Sequence, residues 1–487
     1  MPDSCIEIPR ILIAALRGGS GKTVISIGII AALCNSGKTV LPFKKGPDYI
    51  DAGWLAMAAG QPCYNLDTFM VNENVVCRSF LSHTSFSFAS SANSIAVIEG
   101  NRGLYDGLDV DGTTSTASLA KLLNTPVILC LDCTKTTRTM AAVVLGCLHF
   151  DPKVNIQGVI LNRVAGARHE DILRQSIEKH CHIPVIGAVP KLKASDFPER
   201  HMGLIPTPEH SGVKQAIDVA AKVVAEHVDL SAVFRIAAAS ENKPVSCGLP
   251  AVEPISVAAE DNYMVSCQPI IQTAQRRPRI GIARDSAFQF YYPDNIQALV
   301  AAGAELVMVS PLSDSALPEI DALYIGGGFP ETHSLALSQN VRFKNDLRLA
   351  AESGLPIYAE CGGLMYLGES LVLDQPYTMT GVLPIVFGFS KKPQGHGYTI
   401  ATVDGNNPFF EIGTILKGHE FHYSRVLSFS GDLSDMAFAM EKGRGIIHLK
   451  DGICYKNVLA TYTHIHAAGM PQWAESMVRL AKKRVAV

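Results

Sequence analysis

The stretch Ile11-Leu12-Ile13-Ala14-Ala15-Leu16-Arg17-Gly18-Gly19-Ser20-Gly21-Lys22-Thr23 sets the architecture of the first half of the chain. Its first five residues form a short apolar run suited to a buried strand. The residues after Thr23, to Leu33, carry a helical pattern. A glycine-rich turn between a strand and a helix lets backbone N–H groups point at phosphates, and the helix N-terminus adds positive potential. Lys22 falls in register to reach the β- and γ-phosphates, and the Thr23 hydroxyl to bind Mg²⁺. Gly18, Gly19, Ser20, Gly21, Lys22 and Thr23 are therefore the expected nucleotide-binding residues. Leu16 stands where the strict phosphate-loop pattern has glycine, so the loop is a deviant form with Arg17 at its first position.

Further apolar runs follow at 40–43, 95–98, 127–131, 158–161 and 185–189, with helical patterns between them. Strands without polar alternation, separated by helices, predict a parallel doubly wound sheet. From about residue 237 to 277 the periodicity is lost in a segment mixing Pro, Ser, Glu and Ala. This predicts an ATP-site domain over 1–236, a linker over 237–277 and a second α/β domain over 278–487.

Carboxylates complete the phosphate site. Asp48 follows the second strand, and Glu99 ends the run at 95–98. Carboxylates at the C-terminal ends of parallel strands face the ligand crevice, and hard oxygens suit Mg²⁺. Thr23, Asp48 and Glu99 are the expected metal set. Asp106 in Gly-Leu-Tyr-Asp-Gly reads equally as a turn residue or a substrate contact.

In the second half, Pro356-Ile357-Tyr358-Ala359-Glu360-Cys361-Gly362-Gly363 reads as strand, cysteine, two glycines and helix. A sharp turn of this kind exposes a nucleophile at a strand end, and a helix N-terminus pointing at the sulfur is expected to lower its pKa. A thiol nucleophile needs a base. Thr461-Tyr462-Thr463-His464-Ile465-His466 lies at the end of an apolar strand, and alternation puts His464 and His466 on one face, with His464 as the base; a metal pair is the minor reading, for want of a third ligand. Tyr324-Ile325-Gly326-Gly327-Gly328 supplies a glycine turn after a strand, and Gly327 and Gly328 are oxyanion-hole candidates.

Composition bounds the function. The 487 residues are 47% hydrophobic and 18% charged, with a net charge of −3. That gives ample core and no basic excess for nucleic acid. There is no apolar run long enough to span a bilayer, so no membrane partner is expected. The first ten residues carry Asp3 and Glu7 and lack the pattern of a signal peptide. Twelve cysteines without repeated spacing suggest reduced thiols and the cytoplasm. The oligomeric state is open, with a homodimer as one reading.

These motifs together resemble the cobyrinate a,c-diamide synthase family. The resemblance is carried by PFKKGPDYIDAG (42–53), IEGNRGLYDG (98–107), GVILNRVAGARH (158–169), PERHMGLIPTPEH (198–210), YIGGGFPE (324–331), YAECGGLMYL (358–367), KGHEFHYSRV (417–426) and ATYTHIHAAG (460–469). It implies a dethiobiotin-synthetase-like ATP domain joined to a class I-like glutamine amidotransferase domain. Cys361 would then attack L-glutamine, with His464 activating it. Class I enzymes carry Glu two residues after that His; His466 stands there, which implies a reduced Cys–His dyad. ATP would phosphorylate a carboxylate of a tetrapyrrole acceptor, and ammonia would displace the phosphate. Tyr49 and Asp106 become substrate-side candidates. The two sites would face each other across the domain interface, because ammonia must reach the acyl phosphate before water does. The acceptor implied first is cobyrinate, amidated at its a and c acetate side chains; sirohaem or nickel sirohydrochlorin is the alternative. A reading of another class, a regulatory ATPase with a deviant phosphate loop, leaves Cys361 and His464 unexplained.

Overall fold

In a computed structural model, the described residues are 5–6, 8–85, 93–192, 199–200, 203–209, 212–240, 243–244 and 276–485. The chain divides into two compact units, Met1–Val257 and Ala258–Val487. Most of the expected linker, 237–277, lies outside the described residues. Residues 237–240 continue the first unit: Ala237 is buried, and Ser240 Oγ donates to Arg10 O at 3.1 Å. The Arg10 guanidinium, fully buried, donates to the carbonyls of Ser240, Leu123 and Asn124.

The first unit is built on a seven-stranded sheet. Its strands are β1 (Arg10–Ala15), β2 (Thr39–Lys45), β3 (Tyr64–Leu66), β4 (Ser94–Glu99), β5 (Val127–Asp132), β6 (Ile156–Val164) and β7 (Val185–Pro190). The spatial order is β3-β2-β4-β1-β5-β6-β7, and every pairing is parallel. β1 and β4 are buried along their whole length, as strands covered on both faces must be. Helix α1 (Lys22–Asn35) is apolar on nearly every side. It lies between the sheet and α3 (Val213–His227), so tightly that a methyl group on Gly28 would meet Val224 Cγ2 at 2.4 Å. Helix α2 (Ile50–Ala59) follows β2 and ends on Gly60, which takes a left-handed conformation at φ 63°.

The second unit is built on a ten-stranded mixed sheet. Its strands are β8 (Arg279–Ala283), β9 (Glu305–Val309), β10 (Ala322–Ile325), β11 (Ile357–Glu360), β12 (Gly395–Val403), β13 (Ile415–His422), β14 (Met436–Lys442), β15 (Lys450–Tyr455), β16 (Val458–Thr461) and β17 (His464–Ile465). They run in the order β9-β8-β10-β11-β16-β15-β14-β12-β13-β17. The first five are parallel, and the remainder continue antiparallel. Helix α4 (Val341–Glu352) precedes β11, α5 (Gly362–Leu367) follows it, and α6 (Gln472–Val485) ends the unit. Trp473 on α6 is fully buried, edge-on to the rings of Tyr324 and Tyr358.

Parallel strands align their C-terminal ends along one sheet edge. In each unit that edge collects the turns carrying the functional residues. No helix among the described residues is long and apolar enough to cross a membrane. Eight described cysteines are free thiols, but Cys77 is disulfide-bonded, a departure from the expectation of reduced thiols throughout.

Candidate functional sites

The phosphate loop leaves the end of β1 and enters α1. Gly19 and Gly21 adopt positive φ, 72° and 82°, which L side chains rarely take. Gly21 also lies so close to Asn162 that a methyl group on it would fall 2.2 Å from Nδ2. Asn162, on β6, donates from Nδ2 to Ser20 O at 2.8 Å and so pins the loop. Arg17 is exposed, with Nη2 3.4 Å from Asp132 Oδ2 at the end of β5; Arg163 binds the same carboxylate at 2.7 Å.

Below the loop, charges from three strand ends converge. Lys22 Nζ lies 3.5 Å from Glu99 Oε1. The Thr23 hydroxyl lies 3.1 Å from Glu99 Oε1 and 3.2 Å from Asp51 Oδ2. Lys44, fully buried, donates to Asp51 at 2.7 Å and to Glu99 at 2.5 Å. Burial alone would favour the neutral amine, but Asp51, Glu99 and Asp48 together hold Lys44 well above its ordinary value. Asp51 is half-buried, and enclosure acts to raise it, yet Lys44 and Lys22 pull it down to about 2. Asp48, at the rim, is pushed up to about 6 by enclosure and by the Asp51 charge, against the pull of Lys44.

The structure therefore brings Lys22, Thr23 and Glu99 together as expected. Asp48 joins at greater remove. Its Oδ2 is 4.0 Å from Lys44 Nζ, and its Oδ1 accepts from Asp51 N at 2.9 Å. Asp51 and Lys44 are members that sequence reasoning missed. The spacing Asp-x-x-Asp at 48–51 was the available signal, since it sets a second carboxylate in the first turn of α2. The carboxylates of Asp51 and Glu99 already hold a cation, the Lys44 ammonium, and with the Thr23 hydroxyl that touches them both they are hard donors of the kind Mg²⁺ takes. Tyr49 directly precedes α2 and is half-buried. Asp106 is exposed and closes its own turn, accepting from Gly103 N at 2.9 Å.

In the second unit, neighbouring parallel strands β10, β11 and β16 supply three turns side by side. Cys361 sits between β11 and α5 with φ 45° and ψ −92°, a conformation L residues seldom adopt. Its N–H donates to Thr461 O at 2.8 Å, and Gly363 N donates to Gly326 O at 3.1 Å. The turn Gly326–Gly328 packs against both partners. A methyl group on Gly362 would meet Gly328 N at 2.9 Å, and one on Gly327 would meet His464 Cε1 at 2.5 Å. The residues just before His464 are held by the buried Asp451 carboxylate. That carboxylate accepts from the Thr461 and Thr463 hydroxyls at 2.7 and 2.9 Å and from Tyr462 N at 3.0 Å.

Two expectations are corrected here. The Cys361 thiol is raised, not lowered. It is buried, and the Glu331 and Glu360 carboxylates disfavour the thiolate more than the turn of α5 favours it. His464 is also not confined to a bare dyad, because its Nδ1 lies 3.2 Å from Glu360 Oε2. The minor metal reading gains no support from geometry. His464 and His466 engage separate carboxylates, the latter Asp294 at 3.5 Å. No group of three or more metal-ligating side chains is found among the described residues. His419 stacks on His464 with ring centroids 4.9 Å apart, and burial followed by the neighbouring His464 holds it neutral, well below its ordinary pKa.

Comparison with known proteins agrees with both units. Residues 11–205 match the CobQ/CobB/MinD/ParA nucleotide binding domain, and residues 279–471 match the CobB/CobQ-like glutamine amidotransferase domain. The chain is 41% identical over 98% of its length and 98% of the relative's to a cobyrinate a,c-diamide synthase of Magnetococcus marinus. It is 38% identical to one of Archaeoglobus fulgidus, covering 98% of this chain and 99% of the relative. It is 39% identical to one of Dehalococcoides mccartyi at the same coverage. With 98% of its length matched at 38–41% identity, the chain belongs to the cobyrinate a,c-diamide synthase family.

Proposed function

We propose that this chain hydrolyses glutamine at Cys361 and uses the ammonia, with ATP, to convert the a and c acetate carboxylates of cobyrinate into carboxamides. The observation that carries the reading is the strained Cys361 turn, set against the same glycine turn that packs on His464. The relatives' names supply the acceptor.

In the second unit, Cys361 gives its proton to His464 and adds to the carboxamide carbon of glutamine. N–H groups of the Gly327–Gly328 turn stabilise the oxyanion. His464 returns the proton to the departing nitrogen, ammonia leaves, and water hydrolyses the thioester to glutamate.

In the first unit, Gly18–Thr23 bind the phosphates of ATP, and Lys22 offsets charge on the β- and γ-phosphates. Thr23, Glu99 and Asp51, with Asp48 at the rim, would hold Mg²⁺, which screens phosphate charge during transfer. The γ-phosphoryl group passes to a carboxylate oxygen of the acceptor and ADP leaves. Ammonia then displaces phosphate from the acyl phosphate. Tyr49 and Asp106 stand on the acceptor side.

The test compares wild type and Cys361→Ser with glutamine and with ammonium salts as nitrogen source. The variant is expected to lose glutamine-dependent amidation and keep ammonia-dependent amidation. Loss of both, or of neither, would contradict the assignment of roles.

A further inference from the structure

The glutamine site needs an acid behind its histidine, because an imidazole that accepts a proton becomes a cation in a buried setting. The position two residues after His464 is His466, which cannot serve. Its Nε2 is turned to Asp294 at 3.5 Å, and its Nδ1 accepts from Ala468 N at 3.2 Å.

The carboxylate beside His464 comes from the residue just before the nucleophile. Glu360 is the last residue of β11, pairs in register with Thr461 on β16, and has no exposed surface. Its Oε2 accepts from the Tyr324 hydroxyl on β10 at 3.0 Å and lies 3.2 Å from His464 Nδ1. Its Oε1 accepts from Ile465 N at 3.2 Å. Partners on β10 and β17 thus fix one carboxylate at the end of β11, and both of its oxygens reach the segment that carries His464.

We propose that Glu360 is the positioning residue for His464, replacing the acid that class I amidotransferases place two residues after the histidine. The proposal rests on Cys361 and His464 being the nucleophile and base. Glu360 keeps the proton of the neutral imidazole on Nδ1, so that Nε2 is left to accept the Cys361 proton. It then faces the positive charge once that proton has moved. Nucleophile and orienter are consecutive residues, and the strand end that creates the Cys361 turn also aims the carboxylate at β17, just beyond β16. Ionisable groups near His464 and Cys361 include His419, which stacks on the ring, Glu331, Glu420 and Tyr462, which interact with the thiol, and Tyr324, which donates to Glu360; the variants below leave these side chains unchanged.

The experiment measures glutamine-dependent and ammonia-dependent amidation in Glu360→Gln, Glu360→Asp and Cys361→Ser. Loss of the correct tautomer should lower glutamine-dependent kcat of Glu360→Gln about 100-fold or more, with KM for glutamine changed less than about threefold. Ammonia-dependent turnover should stay at the wild-type level. Glu360→Asp, which retains the carboxylate, should recover at least about tenfold of the loss. The acidic limb of the kcat/KM profile for glutamine should move to lower pH in Glu360→Gln, because the imidazolium loses its counter-charge. Wild-type kcat with glutamine in Glu360→Gln overturns the proposal. So does a parallel fall of glutamine and ammonia turnover in both Glu360 variants, which would mark a structural role. Retention of glutamine turnover by Cys361→Ser instead overturns the underlying assignment of the nucleophile.

Discussion

Lys44 Nζ lies 2.5 Å from Glu99 Oε1, a buried ammonium against a buried carboxylate at the ends of adjacent parallel strands. The same carboxylate oxygen is 3.1 Å from the Thr23 hydroxyl and 3.5 Å from Lys22. Glu99 is therefore the hub of the proposed ATP site, and Asp51 is its second carboxylate. Removing one member of such a set leaves a buried charge without compensation, which is more costly than losing an exposed ion pair.

Asp51 should matter more than Asp48. Asp51→Ala is expected to lower ammonia-dependent amidation by roughly 100-fold, and Asp48→Ala by roughly tenfold. The discriminating assay is ammonia-dependent kcat over a Mg²⁺ titration. An equal loss in the two variants would remove the distinction drawn from Thr23.

The phosphate loop depends on Gly21. Alanine there is strained at φ 82° and collides with Asn162, so Gly21→Ala should cost about 1–3 kcal/mol and weaken ATP binding. Thermal denaturation with and without Mg-ATP tests this. An unchanged melting temperature together with unchanged ATP affinity would count against the loop geometry described above.

Cys361 should be a thiol in the resting protein. Its folded pKa is raised, so the proton stays on at neutral pH and leaves only above the range of an ordinary free thiol. The difference in thiolate absorbance between wild type and Cys361→Ser should be absent at pH 7 and stay absent at pH 8. A thiolate signal at pH 7 would show that burial and the Glu331 charge do not dominate.

Gly327 leaves room for the base. A methyl group at that position would press on His464, so Gly327→Ala should lower glutamine-dependent kcat at least about tenfold while sparing ammonia-dependent turnover. Equal activity with both nitrogen sources at the wild-type level would mean that the turn yields without consequence.

Much of this was legible in the sequence. Continuous apolar runs located six of the seven parallel strands of the first unit, because strands buried on both faces tolerate few polar side chains; the run at 158–161 stops three residues short of the end of β6, and the short edge strand β3 carries no such run. Local motifs gave Lys22, Thr23, Glu99, Cys361 and His464. Asp51, Lys44 and Glu360 were not visible, because their roles exist only once strands or helices distant in sequence lie side by side. Glu360 is the plainest case. In sequence it is merely the residue before Cys361, and only the β11–β16 pairing brings it to His464. The direction of the Cys361 shift failed for the same reason. A helix start can be read locally, whereas burial and the approach of Glu331 cannot.

The most direct test of the central claim is a count of amide groups. The protein would be incubated with Mg-ATP, glutamine and, separately, cobyrinate, hydrogenobyrinate, sirohaem, and sirohydrochlorin with and without nickel, and the products read by mass spectrometry. The account predicts two carboxyl-to-amide conversions on cobyrinate, abolished by Lys22→Ala. Amidation of sirohaem or nickel sirohydrochlorin with cobyrinate untouched would contradict it.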